Sequence, residues 1–203
     1  ALTNDLIYNN LSSTLSNFVF PSRISILTVL AGKYHQKHIQ VQTNLLYSCY
    51  IDGKENNKEF KQLHRLSPAI NLSYQPFLQT QFFLRALYKN IFRMPTFNDL
   101  YYRDVGNMNL SPEKVDQFNV GFLYSHRFRP SNITISLTGD YFYNFIYDKI
   151  VAIPNKNLFI WSMLNFGKVR ATGTEVNFSF LWKLNSKIEI ENIANYSLEY
   201  AVD

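Results

Sequence analysis

The sequence predicts an all-β chain: an antiparallel up-and-down meander of about eight long strands, part of a larger transmembrane β-barrel, with residues 1–203 forming one partial barrel domain. Three observations predict it. Apolar and polar residues alternate with a period of two in segment after segment. The alternating runs reach roughly 10 to 16 residues, against about 5 to 6 for strands of soluble domains. The connections between them alternate between short and long.

The alternation is cleanest late in the chain. In "NITISLTGDYFYNFIYD", Ile133, Ile135, Leu137, Tyr141, Tyr143, Phe145 and Tyr147 occupy one face, and Thr134, Ser136, Thr138, Asp140 and Asn144 the other. Successive side chains of a strand point to opposite faces, so one side of this segment is greasy and the other wet. Val169–Trp182 sets Val176, Phe178, Phe180 and Trp182 against Glu175, Asn177 and Ser179. Lys187–Tyr200 sets Ile188, Ile190, Tyr196, Leu198 and Tyr200 against Glu189, Glu191, Asn195 and Glu199. Gln117–Ser125 sets Phe118, Val120, Phe122 and Tyr124 against Gln117, Asn119 and Ser125. Arg23–Tyr34, Lys37–Ile51, Arg65–Gln75 and Thr80–Phe92 complete the set, the first with apolar residues on both faces.

The connections supply the rim pattern. Those at 34–38, 74–80, 127–132 and 183–187 are short, whereas 52–64, 94–114 and 148–168 are expected as long loops. Short turns on one rim and long loops on the other are the habit of outer-membrane barrels. The apolar rows are accordingly expected to face lipid and the polar rows a lumen. A soluble antiparallel sheet with one face on a core shares the alternation.

Composition narrows the function classes. Apolar residues are 46% and charged residues 17%, which excludes a disordered tail. Tyr (14) and Phe (17) are abundant enough to suggest an interface or a membrane boundary. The net charge of +5 has no denser cluster than "HRFRP" (126–130), so no nucleic-acid partner is expected. Cys49 is the only cysteine and the four histidines are scattered, so neither a disulfide nor a metal site is expected, and no cofactor. No nucleophile–base pair or phosphate-cradling loop stands out, and the chain is not expected to be an enzyme.

Between two alternating segments lies "RMPTFNDLYYRDVGNMNLSPEKVDQF" (93–118). Pro95 and Pro112 remove backbone donors and stop strand pairing. Asn107 and Asn109 suit turns, Gly106 is read as tolerating positive φ, and Glu113 as following Pro112 into a short helical turn. "FRMPTFNDLYY" (92–102), "GNMNLSPEK" (106–114) and "FNVG" (118–121) resemble the barrel of TonB-dependent outer-membrane receptors. So does "LNFGKVRATGTEVNFSF" (164–180), with its Asn-x-Gly and Gly-x-Glu spacing. The residues that carry the resemblance are Arg93, Pro95, Asn98, Gly106, Asn107, Pro112, Glu113, Gly121, Asn165, Gly167, Gly173 and Glu175, read as shaping strand-to-loop junctions. Met94, Met108 and Asn119 depart from the family's commoner residues.

The resemblance implies a receptor in the outer membrane of a Gram-negative bacterium that binds a scarce, large nutrient with its long loops. Among the branches the vitamin B12 receptors look most similar, and cobalamin-like or siderophore-like ligands are implied. The family's plug domain and TonB-binding box cannot be picked out here, so the chain is expected to be an internal barrel fragment. Outer-membrane lipid and the TonB energy-coupling complex, reached through that missing plug, are the implied partners. Phe97, Tyr101, Tyr102, Phe159 and Trp161 are the candidate ligand-stacking residues, with a membrane-interface girdle as the competing role. A non-receptor porin and a soluble all-β carbohydrate-binding module remain as alternatives.

Overall fold

A computed structural model of the chain describes residues 1–14, 18–54, 57–154 and 161–202, with the backbone alone for 57–59. Nine strands form a single antiparallel sheet in strict sequence order. They are β1 (Leu2–Asn10), β2 (Pro21–Gln36), β3 (Ile39–Lys54), β4 (Asn57–Tyr74), β5 (Gln81–Arg93), β6 (Glu113–Phe128), β7 (Ile133–Pro154), β8 (Trp161–Lys183) and β9 (Glu189–Val202). A single short helix, α1 (Phe97–Tyr101), lies in the connection between β5 and β6.

The meander agrees with the sequence expectation; β4, β7 and β8, at 18, 22 and 23 residues, run longer than expected, and the count is one higher. The addition is β1, which pairs along its whole length from Leu2↔Leu30 to Asn10↔Ser22. Its sequence, "LTNDLIYNN", has too little alternation to stand out.

Two of the three expected long loops are corrected. The 52–64 stretch continues the β3/β4 ladder past a bulge to Lys54↔Asn57. The 148–168 stretch continues β7/β8 to Pro154↔Trp161. Asp148, with φ of 54°, interrupts the ladder without ending it, since pairing resumes at Lys149↔Phe166. The uniform apolar run "IVAIP" hides the period that would have marked this extension. Only 94–112 stays a long excursion.

Register carries each face across the sheet. One row runs Ser73–Arg85–Gly121–Asp140–Glu175–Ser197, polar except for its glycine. The next row, on the opposite face, runs Tyr74–Leu84–Phe122–Gly139–Val176–Tyr196. In the polar row Arg85 reaches the Asp140 carboxylate with both oxygens in range, at 2.8 and 3.0 Å. Gly121 makes this possible, because a Cβ there would meet the Asp140 carboxylate and lie 2.6 Å from the Gly139 carbonyl oxygen.

This sheet has no hydrophobic core. Among the described residues the buried apolar side chains are few: Cys49, Ile150 and Ala171, with the prolines Pro21 and Pro95. The accessible surface is 14343 Å², against about 9,900 Å² for a globular monomer of this mass. Val120, Tyr196 and Leu198 are each more than half exposed on the apolar face. A contiguous apolar face of that size cannot remain in water. It requires a non-aqueous neighbour, which disfavours the soluble carbohydrate module.

Among the described residues the wall has one seam. Pairing between β4 and β5 stops at Ala69↔Lys89, next to Pro68, which has no N–H to give. Above it a polar chain fills the gap. Arg65 and Ser67 donate to Asn90 Oδ1 at 3.2 and 3.5 Å, and Asn90 Nδ2 donates to Asp116 at 2.7 Å.

Candidate functional site

The 94–112 excursion does not stand away from the rim. It folds over the polar face and is tied to β2 on one side and to β8 on the other. The local fold begins with a capping box. Thr96 Oγ1 accepts from Asp99 N–H at 3.1 Å, and Thr96 N–H donates to Asp99 Oδ2 at 2.9 Å. This satisfies otherwise orphaned donors at the start of α1. The Thr-x-x-Asp spacing was a signal in the sequence, and the helix it announces was missed.

Towards β2 and β3, the anchor is Arg23. Its guanidinium grips Asp52 in a fork at 2.6 and 2.9 Å, donates to the Pro95 carbonyl at 2.8 Å, and lies 5.3 Å from the centre of the Phe97 ring. Arg23 is only 7% exposed, so these partners consume it. Towards β7 and β8, Asn107 Nδ2 donates to the Met163 carbonyl at 3.0 Å, while Met163 N–H donates to Val105 at 2.9 Å. Asn165 accepts from Ser111 N–H at 2.7 Å and returns its own amide to the Ser111 and Asp148 carbonyls. Glu113 accepts from Ile150 N–H at 3.1 Å and pairs with Arg93 at 3.5 Å; Arg93 also holds Asp99 at 3.0 Å.

Of the family-motif residues, Arg93, Pro95, Asn107, Glu113 and Asn165 make these fastening contacts, with corrections of detail. Pro95 is buried and contributes its carbonyl, and Pro112 lies on the cavity wall described below. Glu113 opens β6 instead of entering a helical turn, because its backbone pairs with Arg93. Gly106 does not have positive φ; a Cβ there would sit 2.7–2.8 Å from the backbone of Leu100 and Tyr102, so close approach is its reason. Gly173 is likewise pressed: a Cβ there would meet the Phe142 ring and lie 2.6 Å from the Leu198 carbonyl oxygen. Gly167 has open space around it, and Asn98 and Glu175 are exposed.

Between loop and sheet lies a cavity of about 650 Å³, within the usual range of roughly 300–1,000 Å³ for ligand sites. Its wall includes Arg23, Tyr50, Lys61, Phe97, Tyr101 and Met108. Of the candidate stacking residues, Phe97 and Tyr101 meet here, with ring centres 6.1 Å apart. Burial pushes the Tyr101 phenol above its ordinary pKa, and the Asp52 charge adds to it, while Arg23 opposes. Tyr102 is 63% exposed and lies off the cavity wall. Trp161 is paired with Pro154 at the β8 terminus and also lies off it. Phe159 lies outside the described residues. Sequence reasoning missed Arg23, Tyr50, Asp52 and Lys61, since nothing local marks a strand residue as facing a loop tens of positions away, 72 for Arg23 and Pro95.

Comparisons with known proteins follow the same lines. The family described as TonB dependent receptor-like, beta-barrel matches residues 28–203. No curated protein matches by sequence. Among solved structures, the FrpB iron transporter from Neisseria meningitidis (F3-3 variant) aligns over 90% of this chain and 27% of its own, with TM-score 0.62 and 13% identity. The copper transporter OprC aligns over 90% and 29%, with TM-score 0.67 and 12% identity. The siderophore receptor PirA from Pseudomonas aeruginosa aligns over 89% and 41%, with TM-score 0.51 and 18% identity. At these identities the likeness is one of fold, and the chain spans well under half the length of each.

Proposed function

The chain belongs to the TonB-dependent receptor-like β-barrel family, and from that premise we propose that it forms part of an outer-membrane receptor whose mouth cavity binds a scarce nutrient for energy-coupled import. The family is one of receptors, not of enzymes. The observation that carries the reading is the cavity beneath residues 94–112, which places aromatic faces beside a cation. Phe97, Tyr101 and Tyr50 offer surfaces on which a planar group can stack. Lys54 and Lys61 supply the positive charge, because the Arg23 guanidinium is already consumed by Asp52 and Pro95.

That combination suits a ring-bearing ligand with negative charge, so a siderophore-like complex fits better than cobalamin. The whole receptor would add a plug domain through which the TonB complex acts, in the outer membrane of a Gram-negative bacterium. The test is ligand binding to the full-length receptor in detergent, followed by quenching of intrinsic fluorescence. Phe97→Ala and Tyr101→Ala should each weaken binding of an anionic catecholate complex by about tenfold or more, and Tyr102→Ala should leave it unchanged. Equal binding by all three variants would remove the cavity from the mechanism.

A further inference from the structure

On the apolar face, near the rim that carries the long excursion, the alternation gives way to cations. Register places Lys114, Tyr147 and Lys168 side by side on β6, β7 and β8. In the neighbouring rows Lys149 stands beside Phe166, and Arg170 beside Phe145. The Lys168 ammonium lies 5.8 Å from the centre of the Tyr147 ring. Four cations are thus interleaved with three aromatic rings over three adjacent strands.

These cations are electrostatically unspent. Among the described residues, none of the four makes an ion pair. Asp116 is the one carboxylate that alternation along β6 to β8 puts on this face, and Tyr88 and Asn90 already donate to it at 3.0 and 2.7 Å. Lys168 and Arg170 are exposed.

Depth fixes where the patch sits. From Ile133 to Tyr147, β7 is about 46 Å long at ~3.3 Å per residue, or about 33 Å of depth at a tilt of about 45°. A bilayer's hydrocarbon is about 30 Å thick. Ile133 pairs with Trp182 at the short-turn end, a residue suited to the opposite interface. The cations therefore lie where hydrocarbon ends and outer-leaflet headgroups begin, with aromatic rings in the same rows to meet acyl chains.

We propose that Lys114, Lys149, Lys168 and Arg170 form a binding site for an outer-leaflet lipid whose headgroup carries phosphate monoesters. The site rests on the reading of this face as bilayer-facing. Each ammonium and the guanidinium present donors to phosphate oxygens, and the guanidinium does so in a planar fork. The Phe145, Tyr147 and Phe166 rings hold the lipid's apolar part against the wall.

The experiment is native mass spectrometry of the full-length receptor, delipidated in neutral detergent and titrated with a bis-phosphorylated disaccharide lipid. Parallel titrations use the same lipid after enzymatic dephosphorylation. Wild type should bind the phosphorylated form at least tenfold more tightly. The combined K149Q/K168Q/R170Q variant should lose that preference, at about fivefold per cation removed, whereas K187Q at the opposite rim should keep it. Equal binding of the two lipids by wild type overturns the site, and this comparison needs no variant to fold. Displacement by millimolar inorganic phosphate overturns the assignment to lipid. Heat-modifiable migration on gels, read in parallel, reports whether the barrel itself is intact, so failure of the barrel reading is seen separately.

Discussion

Asn165 and Ser111, 54 residues apart, exchange two hydrogen bonds. The Ser111 N–H donates to Asn165 Oδ1 at 2.7 Å and Asn165 Nδ2 donates back to the Ser111 carbonyl at 3.0 Å. A side-chain amide here imitates a strand partner and holds a loop as a ladder would. The same amide also reaches the Asp148 carbonyl at 2.7 Å, beside the backbone whose positive φ marks a break in the β7/β8 ladder. Replacing Asn165 by Ala removes all three bonds at once. The expected result is a loop cleaved by protease within 94–112 at least tenfold faster than in wild type, with the barrel's gel migration unchanged. Wild-type cleavage rates would show that the clasp is dispensable.

Arg23→Lys keeps the charge but loses the fork. One ammonium cannot serve both Asp52 oxygens and the Pro95 carbonyl in the same geometry. The expected loss is about 1–3 kcal/mol of loop docking. It would be read as faster amide exchange at residues 96–101, with exchange in β7 unaltered.

Gly121 and Gly167 both belong to the family motifs and should respond differently to Ala. At Gly121 a Cβ displaces the Asp140 carboxylate that Arg85 holds, so the variant should lower the heat-modification temperature, at a cost of about 1–3 kcal/mol. At Gly167 there is nothing within 4 Å of the added carbon, and the change should stay within about 0.5 kcal/mol. Similar behaviour of the two would contradict the steric account.

The Tyr101 phenol titrates above its ordinary value, first because it is partly buried and then because Asp52 is near. Above about pH 10, the usual tyrosine pKa, the unfolded loop loses this proton while the docked loop retains it. Docking is therefore unaffected below pH 10 and weakens as pH rises through the docked-state pKa. The difference between ¹³C-tyrosine spectra of wild type and Tyr101→Phe isolates this one ring. A midpoint at or below the ordinary value would contradict the burial.

Much of the wall was legible because a barrel writes its faces directly into the sequence. Ile133 through Tyr147 alternate because each residue meets either polar surroundings or an apolar phase, with no third environment to blur the period. Legibility failed where that rule lapses. The run from Ile150 to Pro154 is apolar on both faces, with Ile150 itself buried, so no period of two marks the end of β7. The candidate site was legible from one side only. Phe97 and Tyr101 stand out within their motif, whereas Arg23, Tyr50 and Lys61 reach the cavity through strand register. Lys114, Lys149, Lys168 and Arg170 likewise become a group only once three strands are laid side by side.

The missing core has a mechanical meaning. A wall one residue thick gives each side chain neighbours within the surface and almost none behind it. A strain introduced at the mouth has no packed interior through which to travel to the far rim, and stiff ladders spread it sideways. Under the proposed reading, occupancy of the cavity would be felt by the strap that Arg23 and Asn165 hold at its two ends. The seam above Pro68, where the ladder is open and side chains bridge the gap, is where this wall would give first.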